Sequence, residues 1–189
     1  MGYTIGFPPD WYRWEVGTGA QVVDSIVERA ADTDVARDTV RRWVWTSCAC
    51  ASRRRSWSPR CAGVWVPDRS TGQVHGTLLA EGLVDLPDVP DPVGWFVSTM
   101  GSAPRRRGVR TFEYTITRTD LPAGPAAVQS WTSAHRPSRD VVSTFVWTVV
   151  PPGAVEAIGV EFSTHVPALA DALYQESVDV LMSLRVEIA

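Results

Sequence analysis

The chain has 189 residues, enough for one sizeable core, and a formal net charge of −3, which gives no general attraction to nucleic acid or to an anionic membrane. All 18 basic residues are arginine, and neither lysine nor asparagine occurs. This composition excludes a Walker-type phosphate loop and a lysine Schiff base, which need lysine, and it excludes any asparagine ligand or oxyanion donor.

Residues 1–15 contain neither the basic region nor the apolar region of a secretory signal, and no apolar run approaches the length of a membrane span. The three cysteines are an odd number, which favours reduced thiols over a disulfide framework. We therefore expect a cytoplasmic protein. The arginine, alanine, valine, glycine and proline content is typical of a GC-rich genome, such as that of an actinobacterium.

The first third of the chain predicts an extended segment followed by two helices. Residues 7–16 are bounded by prolines and rich in aromatic side chains, which favours a short edge strand or a packed arm. Apolar residues recur at helical spacing over 20–31, and again after Asp34, a candidate N-cap, as far as about Ala51. The buried side of the second predicted helix includes Val40, Trp43, Val44 and Cys48.

The rest of the chain is predominantly β in pattern. Residues 61–66 and 73–86 flank a Pro/Asp/Gly turn and predict a hairpin, and a short helix is expected near 93–101. Alternating or β-branched segments joined by short turns then predict an antiparallel meander. Its strands are expected at 111–119, 126–135, 140–150 and 154–164.

The end of the chain predicts a strand, a helix that begins at Pro167, and a closing strand from Ser183 that joins the sheet. Taken together, the elements predict the α+β class. We expect a single twisted antiparallel β-sheet of about six or seven strands with helices on both faces. One domain is expected over residues 1–189.

Three stretches of the sequence carry a resemblance to a known group of proteins. They are Phe7–Trp11 (FPPDW), Leu121–Ala126 (LPAGPA), and Phe162–Thr164 (FST) with the PALADAL segment from Pro167. They resemble a family of uncharacterised actinobacterial proteins. The order of elements resembles the PsbP-like fold, an α/β/α sandwich also seen in a Ran-binding nuclear transport protein of the Mog type. This resemblance implies an adaptor or partner-binding role and carries over no catalytic residue.

A zinc site could be assembled on paper from Cys48, Cys50, Cys61 and His75. Cys48 and Cys50 are two residues apart, which places them about 200° from one another on a helix. They therefore do not share one tetrahedral site without local unwinding, and we expect no metal and no cofactor.

The histidines His75, His135 and His165 are the candidates for a nucleophilic site. A triad would need one of them beside a serine or cysteine and an acid, and the sequence lacks a Gly-x-Ser-x-Gly elbow. A small hydrolase or ligand-processing enzyme with a His-centred site is therefore the alternative hypothesis, and no catalytic residue is assigned.

The leading hypothesis is a non-enzymatic protein-interaction or adaptor module. Two arginine runs and several tryptophans supply its candidate contacts, because tryptophan and arginine are frequent in interface hot spots. An unknown protein partner or a second copy of the chain is expected, with no membrane. Single-stranded nucleic acid, which stacks on aromatic rings beside cations, is a weaker alternative. The candidate partner-binding residues are Trp11, Trp14, Arg53, Arg54, Arg55, Trp57, Arg105, Arg106 and Arg107.

Overall fold

The computed structural model describes residues 2–17, 20–53, 59–102, 107–136 and 138–187, and among these the side chains of 20, 49–53, 59 and 81–84 are left undescribed. Two compact units are present: residues 7–82, and residues 1–6 together with 83–189. The expectation of a single domain over 1–189 stays a prediction. No helix in the described ranges is both long and apolar enough to cross a membrane.

The described elements follow the predicted order closely. The helices are α1 (Ala20–Ala30), α2 (Asp34–Arg53), α3 (Pro92–Thr99) and α4 (Ala170–Met182), and a 3-10 turn at Pro167–Leu169 precedes α4. The strands are β1 (Gly2–Thr4), β2 (Trp11–Glu15), β3 (Pro59–Trp65), β4 (Gly76–Asp85), β5 (Val109–Leu121), β6 (Gly124–His135), β7 (Val141–Val149), β8 (Glu156–Thr164) and β9 (Arg185–Glu187). Seven of the strands form a sheet in the order β2-β3-β4-β8-β7-β6-β5.

In the unit of residues 7–82, β2 pairs antiparallel with β3, and β3 pairs antiparallel with β4. The apolar sides of α1 and α2 form a core with these strands. Ile26 and Val27 of α1 and Val40 and Val44 of α2 are each at most 2% exposed. The helical periodicity in the sequence therefore identified the buried sides of both helices correctly.

The start of α2 differs from the prediction by one residue. The hydroxyl of Thr33 accepts a hydrogen bond from the backbone N–H of Ala36 at 3.2 Å, so Thr33 is the capping side chain. Asp34, the predicted cap, is the first residue of the helix. Its carboxylate instead lies 2.9 Å from the guanidinium of Arg37, one turn along the helix. Both residue types are good N-caps, which is why the sequence alone did not separate them.

In the other unit, β5 to β8 form an antiparallel meander, as predicted. Trp147 of β7 is 1% exposed, and its indole N–H donates to the hydroxyl of Ser177 in α4 at 3.1 Å. α3 packs with Ala127, whose partner in β7 is Thr148. Successive side chains of a strand point to opposite faces, so α3 and α4 cover opposite faces of this meander. The predicted α+β class, with a twisted antiparallel sheet of about seven strands and helices on both of its faces, is confirmed.

The predicted pairing of the last strand is wrong. β9 pairs with β1 in a separate two-stranded sheet and does not join the larger one. The hydroxyl of Ser183, at the end of α4, accepts a hydrogen bond from the N–H of Gly6 at 2.9 Å. These contacts hold the first residues of the chain, where the sequence predicted no strand, against the last.

Gly72 offers a test of the packing between α2 and the turn before β4. Its φ is +62°, and a Cβ atom there would lie 2.5 Å from the backbone oxygen of Ala36 in α2. Replacing Gly72 with alanine should therefore cost both the left-handed backbone penalty, about 1–2 kcal/mol, and a steric penalty of at least about 1 kcal/mol more. Urea unfolding of the purified variant measures the sum.

The matched control is Gly17→Ala in the same unit. Gly17 also has a positive φ, +93°, but a Cβ atom there would meet nothing within 4 Å. It should therefore show the backbone penalty alone. Equal losses of unfolding free energy in the two variants would show that the close approach to Ala36 is not a constraint.

Candidate interaction surface

The tryptophans divide into core residues and exposed ones. Eight of the nine are described, and four of these are buried. Only two of the described tryptophans are exposed: Trp45 at 51% and Trp95 at 39%. Exposed tryptophan is uncommon because the ring gains so much on burial, so these two positions are candidates for contacts with another molecule. The buried set is Trp11, Trp14, Trp65 and Trp147, and Trp43 and Trp131 are half-buried.

Trp11 and Trp14, both predicted to contact a partner, lie in the interior. Trp11 is 4% exposed and stacks on Trp65, with ring centroids 6.2 Å apart and planes 10° from parallel. Trp14 is 5% exposed and belongs to the core formed with α1 and α2. Their role in partner binding stays a prediction, but these side chains do not form the exposed aromatic surface that the hypothesis assumed.

The predicted arginine runs are only partly within the described chain. Arg53 ends α2 and its side chain is undescribed, whereas Arg107 precedes β5 and is exposed. The positions that lie outside the described residues are Arg54, Arg55, Trp57, Arg105 and Arg106. Each run follows a helix that carries an exposed tryptophan, Trp45 on α2 and Trp95 on α3.

Trp45 lies on the side of α2 that faces away from the core. Its neighbour Val44 is completely buried, and Trp43 packs partly against the core. Within the described chain, the Trp45 side chain makes no ring contact and no hydrogen bond. Sequence reasoning missed this position, although the signal was present: residues two apart on a helix lie about 200° from one another, so Trp43 and Trp45 do not share one side.

Arg42, one turn before Trp45, is exposed, and no described acidic group lies within ion-pair distance of it. Its carbonyl oxygen accepts a hydrogen bond from the hydroxyl of Thr46 at 2.8 Å, which is a contact within the helix. Both Arg42 and Thr46 are exposed beside Trp45. We call the side chains of Arg42, Trp45 and Thr46 the Trp45 surface. It combines a large apolar ring with a guanidinium that has no acidic partner among the described residues.

The second exposed tryptophan, Trp95, is held on a well-anchored helix. Asp91 caps α3 by accepting from the N–H of Gly94 at 3.1 Å, and it pairs with Arg118 of β5 at 2.7 Å. The N–H of Gly94, and then Arg118, hold the pKa of Asp91 below its usual value. At the other end of α3, the hydroxyl of Tyr114 donates to the carbonyl of Met100. Both ends of α3 are therefore fixed.

Of the cysteines in the metal set proposed from the sequence, the side chains of Cys48 and Cys61 are described and that of Cys50 lies outside the described residues. Cys48 packs against the core of its unit, on the side of β3 that carries Ala62. Cys61 precedes Ala62 on that strand and therefore points to the opposite face. Burial raises the pKa of both thiols, which disfavours the thiolate that a metal would bind. Within the described ranges, no three side chains of His, Cys, Asp or Glu are arranged to hold a metal ion.

Two of the three histidines lie near one carboxylate. His135 ends β6, His165 follows β8, and Asp140 lies in the turn before β7. Partial burial lowers the pKa of His165, the negative charge of Asp140 raises it, and the positive charge of His135 lowers it further. His75 is instead packed edge-on against Trp65, with ring centroids 5.4 Å apart. His135 and His165 therefore interact electrostatically, His75 packs against a buried ring, and the enzyme hypothesis stays an alternative prediction.

Comparisons with known proteins bear on the fold. No family model matches the sequence, and no curated protein sequence matches it. The solved structure of LpqN of Mycobacterium tuberculosis, described as involved in cell envelope biogenesis, aligns over 96% of this chain and 81% of its own, with a TM-score of 0.51 and 10% identity. The Saccharomyces cerevisiae Ran-binding protein Mog1p aligns over 72% of this chain and 84% of its own, with a TM-score of 0.46 and 11% identity.

At 10% identity the similarity to LpqN concerns the fold alone, and the score for Mog1p is too low to support an inference. The similarity to LpqN agrees with the α+β class predicted from the sequence, and the PsbP-like, Mog-type resemblance stays an expectation. An actinobacterial origin and a cytoplasmic location stay predictions.

Two substitutions near His165 should shift its pKa in opposite directions. Replacing Asp140 with asparagine removes the charge that raises the His165 pKa, so this pKa should fall further below its ordinary value of 6.5. Replacing His135 with glutamine removes the opposing charge, so the pKa of His165 should rise. NMR titration of the histidine ring protons measures both shifts.

A His165→Gln variant assigns the signal, and His75 serves as the internal reference. Because the folded pKa of His165 lies below the ordinary value, the unfolded chain binds this proton more tightly, and the residue should destabilise the fold as pH falls below about 6.5. Shifts of the same sign in the Asp140 and His135 variants would contradict the arrangement.

Proposed function

We propose that this protein is a non-enzymatic interaction module that binds a protein partner through the Trp45 surface. The observation that carries this proposal is the 51% exposure of Trp45 on a helix whose opposite side is fully buried. A tryptophan at such a position serves neither the core nor helix stability, because tryptophan is a mediocre helix former and Trp45 packs against no other described ring.

Burial of this exposed ring against a partner would contribute to the free energy of binding. Burying the accessible half of a tryptophan removes on the order of 100 Å² of apolar surface from water, which is worth about 2–3 kcal/mol. This is the range in which a single side chain dominates an interface. Neighbouring contacts from Arg42 would orient the partner, because a guanidinium donates hydrogen bonds in a fixed plane.

The helix that carries the ring is well suited to present it. α2 is locked along its buried side by Ala36, Val40 and Val44, each at most 1% exposed. Ion pairs from Arg41 to Asp24 at 3.6 Å and to Asp38 at 3.2 Å brace its exposed N-terminal half. A side chain held on a rigid element loses little entropy when it binds, so the Trp45 surface is pre-organised for docking.

The experiment compares proteins captured by three tagged forms of the chain from an extract of its native host. These are the natural sequence, Trp45→Ala and the control Val35→Ala. Val35 is 78% exposed and lies in the first turn of the same helix, about 15 Å from Trp45, so its replacement removes exposed apolar surface outside the Trp45 surface. Trp45→Ala should deplete a defined partner at least tenfold, and Val35→Ala should leave it within twofold.

Folding and nucleic acid are controlled separately. Both variants should unfold within about 0.5 kcal/mol of the natural chain, because both side chains are exposed. Nuclease treatment of the extract should leave the captured protein unchanged. Equal capture by all three forms, or loss of the captured protein after nuclease, would argue against a protein partner at this surface.

A further inference from the structure

We infer that the Trp45 surface takes an acidic protein segment, one in which carboxylates flank an apolar side chain. This inference rests on the proposed function and names the chemistry of the partner. The distribution of charge along α2 differs between the two halves of the helix.

The N-terminal half of α2 is neutralised internally. Arg37 pairs with Asp34 at 2.9 Å, and Arg41 pairs with both Asp24 and Asp38. The same unit also pairs Arg69 with Asp32 at 2.7 Å. These guanidinium groups already have carboxylate partners and have little to gain from another molecule.

The C-terminal half is different. Arg42 follows Arg41 directly but lies about 100° further around the helix, next to Trp45, and has no acidic partner in the described chain. The sequence extends this imbalance: residues 39–67 contain six arginines and no aspartate or glutamate. The remaining 160 residues carry twelve arginines and all 21 acidic residues. The surface therefore lies within a positive segment of an otherwise acidic protein.

The two groups of the surface specify different parts of the partner. An arginine without an internal partner binds carboxylate through parallel N–H donors, and the exposed indole needs an apolar side chain to exclude water. A purely acidic segment would leave the Trp45 ring exposed to water, and a purely apolar segment would leave Arg42 without a hydrogen-bond acceptor. A segment with both features satisfies the surface.

A protein segment fits better than single-stranded nucleic acid. An extended nucleic acid needs a basic track along several phosphates, with bases stacked on aromatic rings. The described face of α2 offers one unpaired arginine beside Trp45. Towards the N-terminus of the helix, Arg37 and Arg41 are already paired with Asp34 and Asp38, so this described face offers no second free guanidinium for a following phosphate. A short acidic segment needs only one carboxylate at Arg42.

The test uses a labelled 14-residue peptide of glutamates with two central leucines, and its counterpart in which every glutamate is glutamine. Fluorescence anisotropy at 50 mM and 200 mM salt measures binding to the whole chain. The glutamate peptide should bind at least tenfold more tightly than the glutamine peptide, and it should weaken several-fold at the higher salt. Arg42→Glu and Trp45→Ala should each weaken its binding at least tenfold.

The matched control is Arg136→Glu, which reverses the charge of an exposed arginine after β6 and should change the affinity less than twofold.

Tighter binding of oligo-dT of equal length would overturn the inference in favour of nucleic acid. Equal affinity for the two peptides, or no binding of either at 50 mM salt, would show that the partner is not acidic. Trp45-dependent capture from the host extract would still stand in that case, so the failure of this inference is distinct from the failure of the proposed function. If Trp45-dependent self-association appeared in sedimentation, the occupant would be a second copy and the inference would be wrong.

Discussion

The packing of α2 against its core determines what the protein presents to other molecules. Ala36, Val40 and Val44 recur at intervals of four residues and are buried almost completely, so they fix the rotation of the helix about its axis. Once that rotation is fixed, Arg42 and Trp45 have no route to the interior. Gly72 reinforces the constraint, because only a residue without a Cβ atom lets the turn before β4 approach the backbone of Ala36. The exposed tryptophan is therefore a consequence of close packing on the other side of the helix.

Much of the fold could be predicted from local pattern. The meander from β5 to β8 alternates at the strand period or is β-branched, and both long helices repeat at 3.6 residues, so each was placed within a few residues. The pairing of β9 was not predictable in this way. It depends on contact with β1 and on the hydrogen bond between Ser183 and Gly6, residues 177 positions apart. Local sequence carries no information about a contact at that separation.

The candidate site was less predictable than the fold, because a high tryptophan count does not say where each ring lies. Trp65 and Trp147 fit into the core partly because their N–H groups reach Asp10 at 2.7 Å and Ser177 at 3.1 Å. Trp11 is buried by stacking on Trp65, which lies far along the chain. Local sequence does not reveal such partners, which is why it predicted that Trp11 contacts another molecule. Trp45 was the reverse case, since its position on a helix was enough to place it outside.

Net charge was also a poor guide at the scale of one surface. The total of −3 argues against attraction of acidic molecules, but charges in water at physiological salt act over a distance of about 8 Å. At that distance the local pairing decides: Asp38, one turn before Arg42, is already paired with Arg41 at 3.2 Å, whereas Arg42 has no acidic partner in the described chain. Arg41 is one residue away yet contributes little, because its charge is compensated by two aspartates. The proposed binding surface begins where internal pairing ends, which along the described part of α2 is between Arg41 and Arg42. The position of Trp45 beside that boundary would make the proposed surface selective. A bare positive charge attracts any anion, whereas an adjacent indole also requires an apolar group near the carboxylate.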